Sequence, residues 1–264
     1  MKTMHFTLTL AACTCMLASC VNDTPETISF ETLQAERHYT CPGDSAVKCF
    51  DVSYNLEFPE CTDSEVGNAV RTTLVTDLFD KKYADADNAA LLGDYIADCE
   101  DEYNQNASDY EAFAATNFYI ENLEAKPLFQ NAGLLTYEAT RYIFTGGAHG
   151  MSSTVCWVFD LETGNQLTED DIFVSNVFTD LTDLLRTALH TDLVARNLSP
   201  DDFFIDQVQP NGNFAVTGEG IYYQFNPYDI APYAMGDTRL LLAPAVLKPL
   251  LRKGTPVYNL YYAE

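Results

Sequence analysis

A chain of 264 residues, 47% hydrophobic and 12% aromatic, can bury one large core or two small ones without depending on cross-links. Its 39 acidic residues against 14 basic ones give a formal net charge of −25, which lacks the basic footprint that phosphate backbones require and so argues against nucleic acid as a partner. The sign suits a cationic partner, a bound divalent cation, or simple charge repulsion at a crowded surface.

Met1 and Lys2 open the chain with positive charge, and residues 6–17 form an apolar stretch too short to span a bilayer as a permanent helix. Leu17-Ala18-Ser19-Cys20 resembles the lipobox of bacterial lipoproteins of the Bacteroidetes type. That resemblance implies removal of residues 1–19, acylation of Cys20 by palmitate-like chains, and a lipid bilayer as the first partner, with the outer membrane of the cell envelope as the expected site. Residues 1–19 take away Lys2 alone, so 14 − 1 = 13 basic residues then face 39 acidic ones, for −26. Residues 20–27 read as a polar tether, and no later run of 18 or more apolar residues offers a second anchor.

Of eight cysteines, Cys13 and Cys15 leave with the signal segment and Cys20 carries lipid. Export into oxidising surroundings predicts pairing among Cys41, Cys49, Cys61 and Cys99. Cys41 and Cys49 bracket the turn-forming run Pro42-Gly43-Asp44-Ser45, Cys61 precedes one predicted helix, and Cys99 lies on the next. Three connectivities stay open. Cys156, beside Trp157 in an apolar strand, reads as a buried, inert thiol. No CxxC and no paired Cys and His spacing occurs, so no metal or other cofactor is expected.

Residues 28–58 are strand-like, most clearly where Val52, Tyr54, Leu56 and Phe58 alternate with Ser53, Asn55 and Glu57. A capping box from Thr62 to Glu65 opens a helix through Val66, Val70, Leu74 and Leu78, and Leu92, Tyr95, Ile96, Cys99 and Tyr103 mark a second. The two are expected to form a hairpin packed on the first strands. Strands follow at 117–129, 134–144 and 152–161 as an antiparallel meander. A long amphipathic helix runs through Val177, Leu181, Leu185 and Ala188, and a short one starts at Ser199-Pro200. A hairpin at 214–217 and 221–225, a strand at 239–242, a helix from Pro244 and a closing strand at 257–262 complete the order. This mixture predicts an α+β fold, a mainly antiparallel sheet with packed helices. The expected division is an N-terminal segment at 28–112 and a C-terminal domain at 113–264.

Thr145-Gly146-Gly147-Ala148-His149-Gly150 places three glycines around one histidine between two strands, as a sharp turn or a ligand cradle requires. Tyr222 to Tyr233 is dense in aromatics, and Tyr228, Asp229 and Tyr233 sit in its proline-bounded loop. Gly146, Gly147, His149, Tyr228, Asp229 and Tyr233 are therefore the candidate binding residues. No catalytic residue is assigned, since GxSxG, HExxH and HxxEH are all missing. The acidic runs Glu169-Asp170-Asp171 and Asp201-Asp202 suit helix starts better than a calcium loop. Asn106-Ala107-Ser108 is a formal glycosylation sequon, and Asp44-Ser45-Ala46 resembles short O-glycan acceptor sites of Bacteroidetes.

Taken in order, residues 145–150, Trp157, Asp160, Leu161, Gly164, Leu167, Asp171-Ile172-Phe173, Gly220-Ile221-Tyr222-Tyr223, the 227–233 loop, Gly236 and 247–251 resemble an uncharacterised extracytoplasmic domain family. Its members include domains of the lysozyme-sensing anti-sigma factor RsiV and of the peptidoglycan deacetylase PdaC. The resemblance covers about residues 115–264 and implies non-enzymatic recognition of a lysozyme-like basic protein or of a cell-wall glycan. The deacetylase part of PdaC and the membrane helix of RsiV have no counterpart here. Two rival readings are a glycan-modifying hydrolase or deacetylase using His149, and a structural subunit of an envelope assembly.

Overall fold

The computed structural model describes residues 27–41, 44–109, 118–131 and 133–263. Cys20 and the signal segment lie outside the described residues, as do Pro42 and Gly43.

The first sheet has five strands in sequence order: β1 (Phe30–Cys41), β2 (Asp44–Pro59), β3 (Tyr119–Gln130), β4 (Leu134–Phe144) and β5 (Met151–Asp160). Every neighbouring pair is antiparallel except β2 and β3, which run parallel from Phe50↔Tyr119 to Leu56↔Ala125. A parallel pair needs a crossover, which here is the helical hairpin of α1 (Glu65–Leu78) and α2 (Asn88–Asp109). β1 and β2 before this crossover and β3 to β5 after it belong to one sheet. The alternation in β2 has its expected consequence: Val52, Tyr54, Leu56 and Phe58 are buried under the hairpin with Val70, Leu74, Leu91 and Ile96, while Ser53, Asn55 and Glu57 are exposed.

The cap of α1 is Ser64 rather than Thr62, because the Ser64 hydroxyl accepts the Gly67 N–H at 2.9 Å. Thr62 takes the Ser64 N–H instead. Cys41 and Cys49 form a disulfide that closes the β1–β2 hairpin, with Cα atoms 4.9 Å apart. Cys61 and Cys99 remain free thiols, the first exposed and the second buried. Asn88, at the start of α2, donates to the Pro59 carbonyl at 2.8 Å, two residues from Cys61. Cys99 lies eleven residues further along that helix, about 16 Å at 1.5 Å per residue, far beyond the roughly 7 Å Cα limit of a bridge. There its sulfur lies 3.2 Å from the Tyr119 hydroxyl.

The second sheet has three antiparallel strands, β6 (Phe214–Thr217), β7 (Gly220–Phe225) and β8 (Thr238–Leu242). A short helix, α3 (Glu169–Ile172), leads to α4 (Phe178–Arg196), whose Leu181, Leu185, Leu189 and Leu193 pack on Ile221, Tyr223, Phe225, Leu240 and Leu242. Gly220, at φ 146°, ends the β6–β7 turn, and any Cβ there would strike the Leu242 carbonyl. α5 (Pro244–Leu247) starts where expected. The strand expected at 257–262 is instead α6 (Pro256–Tyr262): Thr255 accepts the Tyr258 N–H and Pro256 sits at a first helical position, so the cap overrides the β-propensity of Val257 and the tyrosines. Among the described residues no helix is long and apolar enough to cross a membrane.

β5 is an edge strand whose outward backbone groups are met by side chains. The N–H groups of Thr154 and Cys156 donate to Asn226 Oδ1 (2.7 Å) and Asn213 Oδ1 (3.0 Å), and both amide nitrogens donate back to the Thr154 carbonyl. Two asparagines flanking the β6–β7 hairpin thereby fix the second sheet against the first and occupy part of an edge that would otherwise invite another chain.

Candidate functional site

The site forms where the β4–β5 turn meets the loop between β7 and β8. Gly146 (φ 101°) and Gly147 (φ 98°) adopt backbone that a side chain would strain, and they turn the chain so that His149 emerges beside that loop. Gly150 is equally constrained, since a Cβ there would run into the ring of Tyr142. His149 stacks on Tyr233 with centroids 4.1 Å apart and 23° between planes, and Tyr228 lies 5.6 Å from Tyr233.

The Gly150 carbonyl joins the two segments. It receives the Tyr233 hydroxyl at 2.8 Å and His149 Nδ1 at 2.9 Å. A carbonyl only accepts, so the second contact places a proton on Nδ1, and Nε2 lies 3.4 Å from the Tyr228 hydroxyl. Tyr228 has φ 77° and is 49% exposed. A bulky residue held in left-handed backbone with its ring facing water marks a strained and accessible position.

Of the six residues singled out in the sequence, His149, Tyr228 and Tyr233 converge into one aromatic shelf, and Gly146 and Gly147 shape its turn. Asp229 is engaged otherwise: its Oδ2 accepts the Asn226 N–H at 2.6 Å and closes the loop that carries Tyr228. Sequence reasoning missed the cleft beside the shelf, a cavity of about 530 Å³ lined by Thr140, Ser152, Thr154, Asn226, Tyr233 and Arg239. Arg239 is ion-paired to Glu138 and donates through Nε to Gln224 at 3.0 Å, while Gln224 donates to Asp237 at 3.1 Å. The guanidinium is thereby oriented before any ligand arrives. The available signal was the run of small polar residues at alternate positions of β5, Ser152 and Thr154, which reads equally as an ordinary solvent face.

Cys156 lies behind this cleft. Burial, reinforced by the nearby Glu138, pushes its thiol up to about 12, so it stays protonated and inert. Among the described residues no group of three or more His, Cys, Asp or Glu side chains is placed to hold a metal ion.

No curated protein sequence matches the chain. Two solved structures share its fold. A DUF3298 family member from Bacteroides fragilis is 22% identical with a TM-score of 0.79, covering 91% of this chain and 100% of its own. A DUF3298 family protein from Pseudomonas aeruginosa is 21% identical with a TM-score of 0.63, covering 91% and 99%. Residues 170–243, which carry the Tyr228–Tyr233 loop, match the family described as "Protein of unknown function (DUF3298)", within a chain folded like those two proteins.

Proposed function

We propose that the chain is an envelope-anchored recognition module whose C-terminal part binds a glycan on the shelf of His149, Tyr228 and Tyr233 and in the cleft beside it. The observation that carries this reading is the stacked aromatic shelf opening onto a cavity walled by Thr140, Ser152, Thr154, Asn226 and Arg239. A sugar ring has apolar C–H faces and a hydroxyl edge. The faces lie against aromatic rings, and the hydroxyls exchange hydrogen bonds with short polar side chains and a fixed guanidinium. The resemblance to the extracytoplasmic domains of RsiV and PdaC supports a recognition role outside the cytoplasm. The lipobox-like sequence before Cys20 supports anchoring to the envelope. The formal charge of −25 favours a second reading, in which the ligand is a basic, lysozyme-like protein.

Retention of the mature chain on insoluble peptidoglycan and on immobilised lysozyme, at low and at physiological salt, separates the two. The glycan reading expects retention on peptidoglycan to survive about 0.15 M salt, where charge attraction between exposed groups is screened beyond roughly 8 Å. Salt-resistant retention on lysozyme alone would transfer the site to a protein partner, and retention on neither would remove both readings.

A further inference from the structure

A second cavity, of about 600 Å³, lies on the opposite face of the first sheet. The two share no lining residue: Ser152 and Thr154 of β5 line the glycan cleft, whereas Ser153, Val155 and Trp157 line this one, which also reaches Cys156 and Asn213 at the β5 edge. It opens where α1 stops over β4 and β5, so that Asp77 and Leu78 of the last turn of α1 form one wall. Its apolar lining comes from Leu123, Ala139, Val155 and Trp157, and Val155 is 41% exposed at the lip. The volume falls in the ordinary range of small-molecule sites.

Its polar lining comprises Asp77, Ser153, Gln166, Asn211, Asn213 and Arg141, of which Arg141 carries the only positive charge. Nε pairs with Glu121 at 3.2 Å, and one terminal nitrogen donates to the Leu78 carbonyl. The third nitrogen, Nη1, has no protein partner among the described residues. Glu121 is completely buried and also accepts from the hydroxyls of Tyr54, Tyr95 and Tyr119, at 3.1 to 3.3 Å. A buried ion pair contributes little net stability, but this one fixes the guanidinium beside the cavity with donor capacity to spare.

The charges restrict what can enter. Glu121 pairs with Arg141, and the Asp77 carboxylate on the wall accepts the Trp157 indole N–H at 2.8 Å. A carboxylate ligand would add a third negative charge against one positive, in a chain already at −25. A neutral carbonyl incurs no such penalty and still uses the free N–H groups. Leu123, Ala139 and Val155 beside Arg141 suit a methyl group, while Ser153, Gln166, Asn211 and Asn213 offer partners to hydroxyls elsewhere on the ligand. We propose that this cavity is a second ligand site for a small neutral N-acyl compound, its amide oxygen accepting from Arg141 and its acyl methyl lying among Leu123, Ala139 and Val155. This site is independent of the glycan shelf and does not rest on it.

Trp157 is the chain's single tryptophan and walls this cavity but not the other, so its emission reads this site alone. The test titrates the mature chain with three probes: N-acetylglucosamine, which is neutral and acylated; glucose, which lacks the acyl group; and N-acetylneuraminic acid, which adds a carboxylate. A saturable emission change with N-acetylglucosamine is expected, with glucose and N-acetylneuraminic acid binding at least about tenfold more weakly, a difference of roughly 1.4 kcal/mol. Ser153→Leu fills the mouth from the rim and should abolish the change, and Tyr228→Ala on the other face should leave it intact. No saturable change with N-acetylglucosamine, an equal response to glucose or to the anionic probe, or full binding by folded Ser153→Leu would each overturn the proposal. The three-probe comparison needs no variant, so it stands if Ser153→Leu does not fold.

Discussion

Tyr228 combines a strained backbone with an exposed ring, and the two can be separated by substitution. Tyr228→Ala removes the ring but keeps a Cβ at φ 77°, whereas Tyr228→Gly removes both. The glycine variant should therefore be the more stable by about 1 kcal/mol, read from urea midpoints, while both lose the shelf equally. Equal stabilities would mean that the left-handed backbone costs nothing here. Asn226 gives the complementary case. Its amide meets both the N–H and the carbonyl of Thr154, so Asn226→Ala leaves edge groups of β5 without these partners and should cost about 1–3 kcal/mol by thermal or urea denaturation. Part of this residue-scale picture was legible in the sequence. Three glycines around His149 and the aromatic density at 222–233 marked two segments that the fold brings together. Their meeting was not legible, because it depends on asparagine side chains 57 to 72 residues from the β5 groups they bind. The loop-closing bond from the Asn226 N–H to Asp229 was likewise not legible, because an acidic residue after Tyr228 reads first as a ligand contact.

The elements differ in how openly their sequence states them. β2 announces itself because its face is half buried and alternates cleanly, and α4 because leucines recur at helical spacing. α6 hides, since Val257, Tyr258, Tyr261 and Tyr262 favour strands on propensity, and only Thr255-Pro256 declares a helix start. The parallel pairing of β2 with β3 was illegible because the hairpin of α1 and α2 decides it, and no local pattern records which way the chain returns. α3 offers an electrostatic test. The Thr168 hydroxyl and backbone N–H both donate to Asp171, at 2.7 and 2.8 Å, and hold its carboxyl below the usual carboxylate value. A depressed folded-state pKa contributes stability above the unfolded value and loses it as pH falls through the folded one. The wild type should therefore lose more stability than Asp171→Asn between pH 5 and pH 2, roughly the window below an ordinary aspartate. Parallel curves for the two proteins would show that the carboxylate contributes nothing. The β1–β2 disulfide should contribute about 2–3 kcal/mol through loop closure, measured by comparing the oxidised and reduced chain.

At the scale of the whole molecule the first sheet has two poles. Ile28 is tied to Gln130 by bonds of 3.0 and 3.2 Å at one end, and the 145–150 turn lies at the other, beyond the full length of β4. Eleven strand residues span about 35 Å. An anchor at Cys20 would enter at the first pole and present the shelf at the second, toward material beyond the membrane that holds it. That polarity suits a polymer lying off the bilayer, and it agrees with the glycan reading more readily than with recognition of a lipid. The formal charge of −25 would repel anionic competitors from such a surface.

The most direct test is equilibrium binding of soluble peptidoglycan fragments to the mature chain at physiological salt, for the wild type and for Tyr228→Ala/Tyr233→Ala. Circular dichroism should confirm that the double variant is folded. Loss of both rings should weaken binding at least about fivefold, since stacked aromatic contacts of this kind contribute on the order of 0.5–1.5 kcal/mol each beyond their burial. Unchanged affinity in the folded double variant would contradict the assignment of the shelf as the glycan site.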